Sequence, residues 1–499
     1  AQAGTLALVP KGCSGAMSSA KAMSSVDGVH RRSARSRVDA ASEVLLSDSR
    51  RSGDGSRHVS VDTPSYLIWQ ANRNLRREVT AGDEGLPQAE ARAPRPSYLE
   101  RNLGGLKSIL QHPFSLMLVA FPLGALSALR GWGGQWTFWL NFMALIPLAK
   151  ILGDATEELD ACLHNEVVSG LLNATFGNAV EMIMTIQTLR RGLLQVVKAT
   201  LLGSVLSNLL LVLGMSFFFG GLVEIGGSAP LPGSSALSES LLQEDRGMRL
   251  VMEKEQTFIV NSAMVSVTML LVSCLSFSLP TIFTQMVGEE LVLLDFSRTA
   301  AVIVIMMYVC YLIFQLITHR KMLANADDGE DDDDDNEGLT LDFSLGLLAA
   351  TTVLVSIASE FLVGTIEEVA AHSNLSECFI GVILLPIVGN ACEHAAAVRF
   401  AIQNKPGLSV SIAVGSSTQV ALFVVPFSVL MGWYLDQPMT LDFGPLNTMV
   451  LLISVLVVLT IVVDGRSNWL EGYMLCSAYA LIAVMYWHVK SFGTSDDEV

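Results

Sequence analysis

Two glutamates in long apolar stretches are the residues of this sequence whose type and spacing best suit chemistry. Glu181 ends a Gly-Asn-Ala-Val-Glu motif that begins at Gly177, and Glu393 ends a Gly-Asn-Ala-Cys-Glu motif that begins at Gly389, so the copies are offset by 212 residues. A charged side chain inside a membrane-spanning helix costs at least about 2.5–3.5 kcal/mol, so a carboxylate found there is usually functional. The doubled motif therefore predicts two buried carboxylates that bind a cation or protons.

An amide and a bare stretch of backbone accompany each of these carboxylates. Asn178 lies three residues before Glu181, Asn390 lies three residues before Glu393, and each asparagine follows the glycine of its motif. Positions i, i+3 and i+4 share one face of an α-helix. On continuous helices, each motif would present a glycine, an amide and a carboxylate toward one point.

Hydroxyl and amide groups recur at the same offset, in the apolar stretch after each motif. Gly203-Ser204 and Gly415-Ser416 each begin 22 residues after the corresponding glutamate, and Gln419 follows the second pair. Hard cations such as calcium bind six to eight oxygens of the carboxylate, amide, hydroxyl and carbonyl types. The predicted cation- and proton-binding residues are Glu181, Glu393, Asn178, Asn390, Ser204, Ser416 and Gln419, with the two glutamates as calcium ligands and with Gly177, Gly389, Gly203 and Gly415 in support.

Other interpretations of these residues stay open. Glycine and serine in membrane helices often serve only close helix packing, and Gly203 or Ser204 taken singly fits that role better than binding. Cys392 and His394 flank Glu393, and such side chains are ligands of softer metals. Neighbours along a helix point to different faces, however, so a soft-metal site is disfavoured.

A second, looser acidic repeat lies near the predicted membrane faces. Glu157 and Glu158 follow the second long apolar stretch, and Glu367 and Glu368 follow the seventh. Carboxylates at such places can pass a cation into or out of the membrane, and we name these four the access carboxylates. The alternative is that they are merely solvated side chains at a membrane edge, and both interpretations stay open.

The composition is that of a membrane protein. The chain is 51% hydrophobic and 16% charged, with a mean hydropathy of +0.48, whereas a soluble domain has about 25% charged residues. Apolar residues are grouped in runs of about 20, the length that crosses about 30 Å of hydrocarbon. The formal charge of −17 favours cations as ligands, although acidic loops would give the same total.

Eleven apolar stretches are long enough to cross a membrane. Their predicted boundaries are 114–129, 136–152, 167–188, 193–220, 258–277, 299–318, 345–365, 377–400, 408–432, 446–463 and 470–488. Setting the first aside leaves two groups of five, and because five is odd the second group must start from the opposite side. We predict an all-α polytopic membrane protein with one extra helix and two inverted five-helix repeats, as in many alternating-access carriers.

The same pattern divides the chain into segments. They are a disordered Ser/Arg-rich cytosolic tail at 1–110, a first transmembrane helix at 111–132, a first repeat at 133–320, an acidic cytosolic linker at 321–343, a second repeat at 344–490 and a short acidic tail at 491–499. Lys and Arg are more numerous in the short loops on the side of the amino tail, which predicts that this tail is cytosolic. The linker holds nine carboxylates within residues 327–337. It is either a self-repelling solvated segment or an antenna that attracts cations.

The quoted motifs resemble a known family. The two glutamate motifs, the second continuing to His394, together with Gly-Ser-Val-Leu-Ser-Asn at 203–208 and Gly-Ser-Ser-Thr-Gln at 415–419, resemble the repeats of the CAX calcium/proton exchangers, a branch of the calcium/cation antiporter superfamily. The resemblance covers about residues 100–490. Cys392 stands where alanine is more usual, and this departure leaves the oxygen ligands intact.

The resemblance implies secondary active antiport of cytosolic calcium, or of manganese, into an acidic organelle such as a vacuole in exchange for protons. Glu181 and Glu393 would bind calcium and protons in alternation, and His394 matches a family histidine that matters for transport. Ca²⁺ and H⁺ are then substrates, and no cofactor is expected. The lipid bilayer is the other expected partner, nucleic acid is not expected, and a homo-oligomer is left open.

The residues lead to the same mechanism without the resemblance. Two buried carboxylates that lie close together repel each other, so protons compete well for them. One calcium ion or two protons can neutralise the pair, which makes the two ions mutually exclusive and couples their movements.

Three rivals remain. A sodium/calcium exchanger of the same superfamily would share the fold, although His394 and Gln419 favour the proton branch. A transport-silent sensor or scaffold is disfavoured by the intact repeats. An intramembrane enzyme is disfavoured because no span contains His-Glu-x-x-His, Gly-x-Gly-Asp or a serine nucleophile motif with a histidine partner, so we expect a transporter.

Overall fold

The computed structural model describes residues 97–489, with gaps at 112, 164–165, 226–247, 251–253, 288–289, 320–338 and 374. Most of the predicted amino tail, the nine carboxylates of the linker and the predicted acidic tail at 491–499 lie outside the described residues.

The described chain is built almost entirely from helices, which succeed each other with short connections. In chain order they are α1 (Tyr98–Leu110), α2 (Ala120–Arg130, after a 3₁₀ segment at Pro113–Val119), α3 (Gly134–Cys162), α4 (Glu166–Phe176), α5 (Ala179–Arg190), α6 (Leu194–Leu222), α7 (Val260–Val287), α8 (Glu290–Ile313, extended by a π-helical segment at Phe314–Thr318), α9 (Leu341–Val363), α10 (Ile366–His372), α11 (Glu377–Gly389), α12 (Ala391–Ile402), α13 (Pro406–Tyr434), α14 (Pro445–Val462) and α15 (Trp469–His488). Two antiparallel pairs of short strands join loops: β1 (Val223–Ile225) with β2 (Met248–Leu250), and β3 (Gln256–Thr257) with β4 (Arg466–Ser467).

Helix α1 corrects one sequence prediction. Residues 98–110 lie within the stretch predicted to be a disordered tail, yet they form a helix whose first turn is closed by a capping box between Ser97 and Glu100. Such a box satisfies the free N–H groups of a helix N-terminus. The helix docks through Asn102, which is 1% exposed and accepts a hydrogen bond from the Thr340 N–H at 2.9 Å. The tail prediction is therefore wrong for these residues.

A multi-pass helical membrane protein is confirmed, whereas eleven spans are not. Within the described residues, nine helices are long and apolar enough to cross a membrane, and counting α11 and α12 as one bent span gives ten. The predicted span 167–188 is divided between α4 and α5, with a turn at Gly177-Asn178. The difference comes from this break, because neither half is long enough to pass as a span.

Both glutamate motifs lie at helix breaks. Asn178 precedes α5 with φ −109° and ψ 20°, and Asn390 precedes α12 with φ −89° and ψ 13°. Helices α11 and α12 meet at a bend of 58°. Each glutamate consequently lies in the first turn of a new helix, with its asparagine as the N-cap residue. The expectation of one continuous helical face for glycine, asparagine and glutamate is wrong, because the chain turns between the glycine and the glutamate.

The helices after α2 form two series that correspond in order, as the inverted repeats require. Helix α3 packs along α9, its counterpart in the second series, and α6 and α13 contribute many of the buried core residues. Helices α6 and α13 each contain a π-helical segment, at Ser207–Val212 in α6 and at Val420–Val424 in α13. These segments follow the Gly-Ser motifs, and π-helical turns inside α-helices are frequent at functional sites.

Gly203 marks a close approach between the repeats. A Cβ atom there would clash with the backbone carbonyl of Val382 and would lie 2.6 Å from Pro386 Cγ, whereas a Cβ at Gly415 would meet no atom within 4 Å. The two glycines hold equivalent sequence positions, but only the first one requires the absence of a side chain for packing.

We expect Gly203→Ala to lower the free energy of unfolding by about 1–3 kcal/mol, the usual cost of overpacking a core. Gly415→Ala is the matched control and should change thermal unfolding in detergent by much less. Equal midpoints for the two variants would contradict the packing described here.

Candidate functional site

A central cavity lies between the two repeats, beside both glutamate motifs. Its volume is about 290 Å³, and polar residues of α3, α8, α12 and α13 contribute to its wall, among them Glu157, Gln315, Glu393, Ser416 and Gln419. Gly177, Gly389 and Gly415 also line it, so three of the four predicted supporting glycines leave backbone open to the same space. Of the seven predicted ligands, Glu393, Ser416 and Gln419 line this cavity, whereas Glu181, Asn178, Asn390 and Ser204 are not among its lining residues.

Glu181 is buried, Glu393 is half-buried, and both carboxylates are incompletely paired. Glu181 is 3% exposed, and in the described structure neither Glu181 Oε2 nor Glu393 Oε2 has a hydrogen-bond partner, although both atoms are buried. Each carboxylate lies in the first turn of its helix, where free N–H groups and the helix dipole favour negative charge. An unpaired buried carboxylate oxygen is costly unless a proton or cation joins it.

Glu181 reaches across to the motif of the other repeat. A Cβ atom at Gly389 would lie 2.7 Å from Glu181 Oε1. The glycine of the second motif is therefore needed because the carboxylate of the first motif occupies the space beside it. This contact brings the two motifs together, as the doubled sequence predicts.

The motif amides make hydrogen bonds that cross between the repeats. Asn178 Nδ2 donates to Gln419 Oε1 at 2.7 Å. Asn390 Nδ2 donates to the Ser204 carbonyl, and Asn390 Oδ1 accepts from Ser204 Oγ, both at 3.1 Å. Each asparagine of one repeat is thus held by the Gly-Ser helix of the other.

Three polar residues near the site were missed by the sequence analysis. Asn208 Nδ2 donates to Ser416 Oγ at 2.9 Å, and Ser266 Oγ lies 3.1 Å from Tyr311 Oη at the cavity wall. The repeat partner of Asn208 is Val420, and neither Ser266 nor Tyr311 belongs to a duplicated motif. The doubled polar positions therefore do not point to any of these three residues, and Asn208 was quoted only as the last residue of the motif at 203–208.

The side chains next to Glu393 have different surroundings. His394 Nδ1 lies 3.1 Å from the carbonyl oxygen of Asn390, within its own helix turn. Cys392 packs against α3, since a Cβ at Gly153 would lie 2.7 Å from its Sγ. Across the described ranges, no group of three or more His, Cys, Asp or Glu residues is close enough to hold a metal ion. The oxygen atoms of the predicted site therefore come from carboxylate, amide and hydroxyl groups.

The four predicted access carboxylates have different surroundings. Glu157 lines the central cavity, and Glu367 is exposed in α10. Glu158 Oε2 accepts a hydrogen bond from the Leu339 N–H, and Glu368 Oε1 accepts one from the Gly134 N–H, both at 2.8 Å. Only Glu157 shares a cavity with Glu393.

Comparison with known proteins places these features in context. A family model described as sodium/calcium exchanger protein matches residues 134–317 and 343–487. The vacuolar calcium ion transporter of Schizosaccharomyces pombe is 37% identical over 387 residues, which are 77% of this chain and 87% of that protein. The Ca(2+)/H(+) antiporter of Synechocystis is 37% identical over 388 residues, or 75% of this chain and 96% of that protein.

Solved structures are similar over the same region. The structure of native YfkE matches with a TM-score of 0.61 at 33% identity, covering 75% of this chain and 100% of that chain. The crystal structure of the H⁺/Ca²⁺ exchanger CAX has a TM-score of 0.52 at 11% identity, over 78% of this chain and 93% of that one. At 11% identity, the similarity to the H⁺/Ca²⁺ exchanger CAX shows a shared fold alone.

The crossed hydrogen bond between Ser204 and Asn390 can be measured with a double-mutant cycle. We expect Ser204→Ala and Asn390→Ala to show a coupling of about 0.5–1.5 kcal/mol in unfolding in detergent, the net value of one hydrogen bond. Ser204→Ala with Ser409→Ala is the control cycle, because Ser409 Oγ instead donates to the Ala397 carbonyl. That control should be additive within about 0.5 kcal/mol, and equal coupling in both cycles would refute the pairing.

Proposed function

Since the chain belongs to the sodium/calcium exchanger protein family, we propose that it is a secondary active antiporter that moves cytosolic Ca²⁺ into an acidic organelle in exchange for H⁺. The observation that carries this proposal is the pair of glutamates, one from each repeat, whose buried Oε2 atoms have no hydrogen-bond partner in the described structure. The names of the relatives, a vacuolar calcium ion transporter and a Ca(2+)/H(+) antiporter, support the choice of ions.

The proposed cation ligands are the oxygens of the two glutamates with those of the crossed amides and hydroxyls. They come from Glu181, Glu393, Asn178, Asn390, Ser204, Ser416 and Gln419. Gln419 Oε1 and Asn390 Oδ1 each accept one hydrogen bond, and an amide oxygen has a second lone pair that a cation can use. A mixed set of this kind suits Ca²⁺, which tolerates six to eight oxygens in flexible geometry, and it also suits Mn²⁺.

Exchange follows from the charge of the pair. Ca²⁺ neutralises both carboxylates, and two protons do the same, whereas the empty site would carry two uncompensated charges within the membrane. Such a state is costly to move through the hydrocarbon. The site therefore changes its exposure only when it is loaded with one ion species or the other, which makes the exchange obligatory.

We assign the cytosolic approach to Glu157. It lies near the end of α3 that faces the predicted cytosolic side, and it lines the same cavity as Glu393. The carboxylates of Glu158 and Glu368 accept backbone hydrogen bonds instead. The acidic linker at residues 327–337 would add a screened attraction for cations on this side.

The proposed driving force is tested in sealed vesicles with an imposed pH gradient, acidic on the carboxyl-terminal side. Ca²⁺ should accumulate, and a protonophore should stop accumulation, whereas clamping the membrane potential should not abolish it. Ca²⁺ uptake that is driven by an imposed sodium gradient and does not depend on the pH gradient would identify a sodium/calcium exchanger. Absence of flux under both gradients would favour a sensor or scaffold.

The roles of the glutamates are tested by substitution. Glu181→Gln and Glu393→Gln should each reduce Ca²⁺ uptake to background while the protein remains folded and inserted, because one carboxylate cannot neutralise Ca²⁺ in a low-dielectric site. Asp295→Asn is the control, since this carboxylate is 82% exposed on the surface and should leave uptake unchanged. Near-normal flux in either glutamine variant would exclude the proposed site.

A further inference from the structure

Helix α1 carries a stripe of leucines that is largely exposed in the described structure. The stripe consists of Leu99, Leu103, Leu106 and Leu110, which are spaced by four, three and four residues and therefore share one face of the helix. Leu99 is 67% exposed, Leu103 59% and Leu110 41%. A row of large exposed apolar side chains on one face indicates a surface that contacts a membrane or another protein.

The leucine stripe is not the face through which α1 docks on the rest of the chain. That face carries Asn102 and Ile109, both buried and seven residues apart. Asn102 Oδ1 accepts the Thr340 N–H at 2.9 Å, and Ile109 belongs to a small apolar cluster with Ile151 of α3 and Leu339. The docked face adjoins the stripe and leaves it free.

The remaining side of α1 is polar. Its exposed residues are Glu100, Gly104, Lys107, Ser108 and Gln111. Lys107 borders the stripe, because it lies four residues after Leu103 and three before Leu110. A lysine in this position can extend its ammonium group toward lipid phosphates while its methylene groups stay on the apolar side. An apolar face beside a polar face is typical of helices that lie in a membrane interface.

The docking contacts place the end of α1 close to the depth of the hydrocarbon. Helix α3 has 29 residues and is therefore about 43 Å long, whereas the hydrocarbon is about 30 Å thick. At most about 13 Å of α3 can thus protrude at one end. Ile151 lies about 16 Å before the last residue of α3, Cys162. It is consequently within the hydrocarbon, and Ile109 belongs to its cluster.

The apolar surface of α1 is continuous along the chain with a membrane span. The span at Pro113–Arg130 begins shortly after α1, and in its first turns Leu116 is 81% exposed and Val119 61%. Such exposed apolar side chains at the start of a span contact lipid. This continuity favours lipid over a protein partner as the cover of the leucine stripe.

We propose that α1 is an interfacial helix whose leucine stripe lies in the lipid leaflet at the Pro113 end of this span. The stripe enters the boundary between headgroups and acyl chains, where such helices are buried by about 5–10 Å. Because Asn102 and Ile109 join α1 to Thr340 and Leu339, the lipid-bound helix also holds the segment from which α9 starts. This inference does not depend on which ions the protein moves.

Fluorescence quenching of the full-length protein in phosphatidylcholine vesicles tests the position of the stripe. A fluorescent amino acid is incorporated in place of Leu103 in one protein and in place of Ser108 in the other. Phosphatidylcholine with brominated acyl chains should quench the probe at 103 more strongly, and aqueous iodide the probe at 108. The two positions face nearly opposite sides of a helix about 10 Å across, so their depths should differ by about 10 Å.

Two controls keep this measurement decisive. A probe at Leu99 should report the same depth as the probe at Leu103, and protection of the Thr340 N–H from deuterium exchange should show that α1 stays docked. Equal iodide quenching at 103 and 108 would overturn the proposal. Shielding of the probe at 103 from both quenchers would also overturn it, in favour of cover by a second copy of this chain or by residues before Ser97.

The hold of α1 on the start of α9 is tested by hydrogen–deuterium exchange in the same vesicles. Combining Leu99→Ser with Leu103→Ser should reduce the protection of the Thr340 N–H, because α1 would lose its attachment to lipid and dock less firmly. Ser108→Ala is the matched control on the polar side and should leave this protection unchanged. Full protection in the double variant would contradict the proposed anchoring.

Discussion

The structure depends on the burial of two carboxylates in a medium that disfavours charge. Glu181 and Glu393 come from different halves of the chain, and neither Oε2 atom has a protein partner in the described structure. Leaving such an oxygen unpaired costs free energy, and the fold accepts this cost at two equivalent places. The neighbouring groups are amides and hydroxyls, which can solvate a cation but cannot neutralise the carboxylates. In the proposed mechanism, a mobile ion neutralises them and is exchanged in each transport cycle.

The helix breaks make this burial tolerable. Because Asn178 and Asn390 interrupt their helices, each glutamate lies at the positive end of a helix dipole and not in the middle of a continuous span. Free backbone N–H groups are placed near the charge without adding a formal positive charge that would repel the cation. Irregular backbone is tolerated at membrane depth where it lines a cavity, and both breaks adjoin the central cavity. Broken helices are a common way for transporters to build such sites.

The doubled motif predicted which residues meet, but not how the backbone brings them there. A repeat offset identifies equivalent positions, so Glu181, Asn390 and Gln419 could be predicted to lie together from the sequence. The break at each asparagine could not, because the same residues are compatible with a continuous helix and tertiary packing decides between the two. Asn208 was missed because its repeat partner is Val420, and Tyr311 because it belongs to no duplicated motif.

The sequence also did not show in which direction the side chains of neighbouring residues point. Glu157 and Glu158 are adjacent and chemically equivalent. Glu157 nevertheless lines the cavity, whereas Glu158 accepts a hydrogen bond from the Leu339 N–H just before α9. Successive helical residues point about 100° apart, so a rotation of α3 by about that angle would exchange these roles. Packing against α9 and the other neighbouring helices fixes that rotation, and much of it involves residues about 200 positions away in the chain.

The crossed hydrogen bonds also bear on how such a chain arose. Asn178 is held by the second repeat and Asn390 by the first, so a single five-helix unit contains only one member of each pair. A lone ancestral unit could complete its site only by meeting a second copy inserted in the membrane the other way up. Dual insertion of one gene product supplies such antiparallel dimers. Fusion of two such copies would make the opposite orientation of the halves permanent and would leave each half free to diverge; Asn208 and Val420 are equivalent positions that hold different residues.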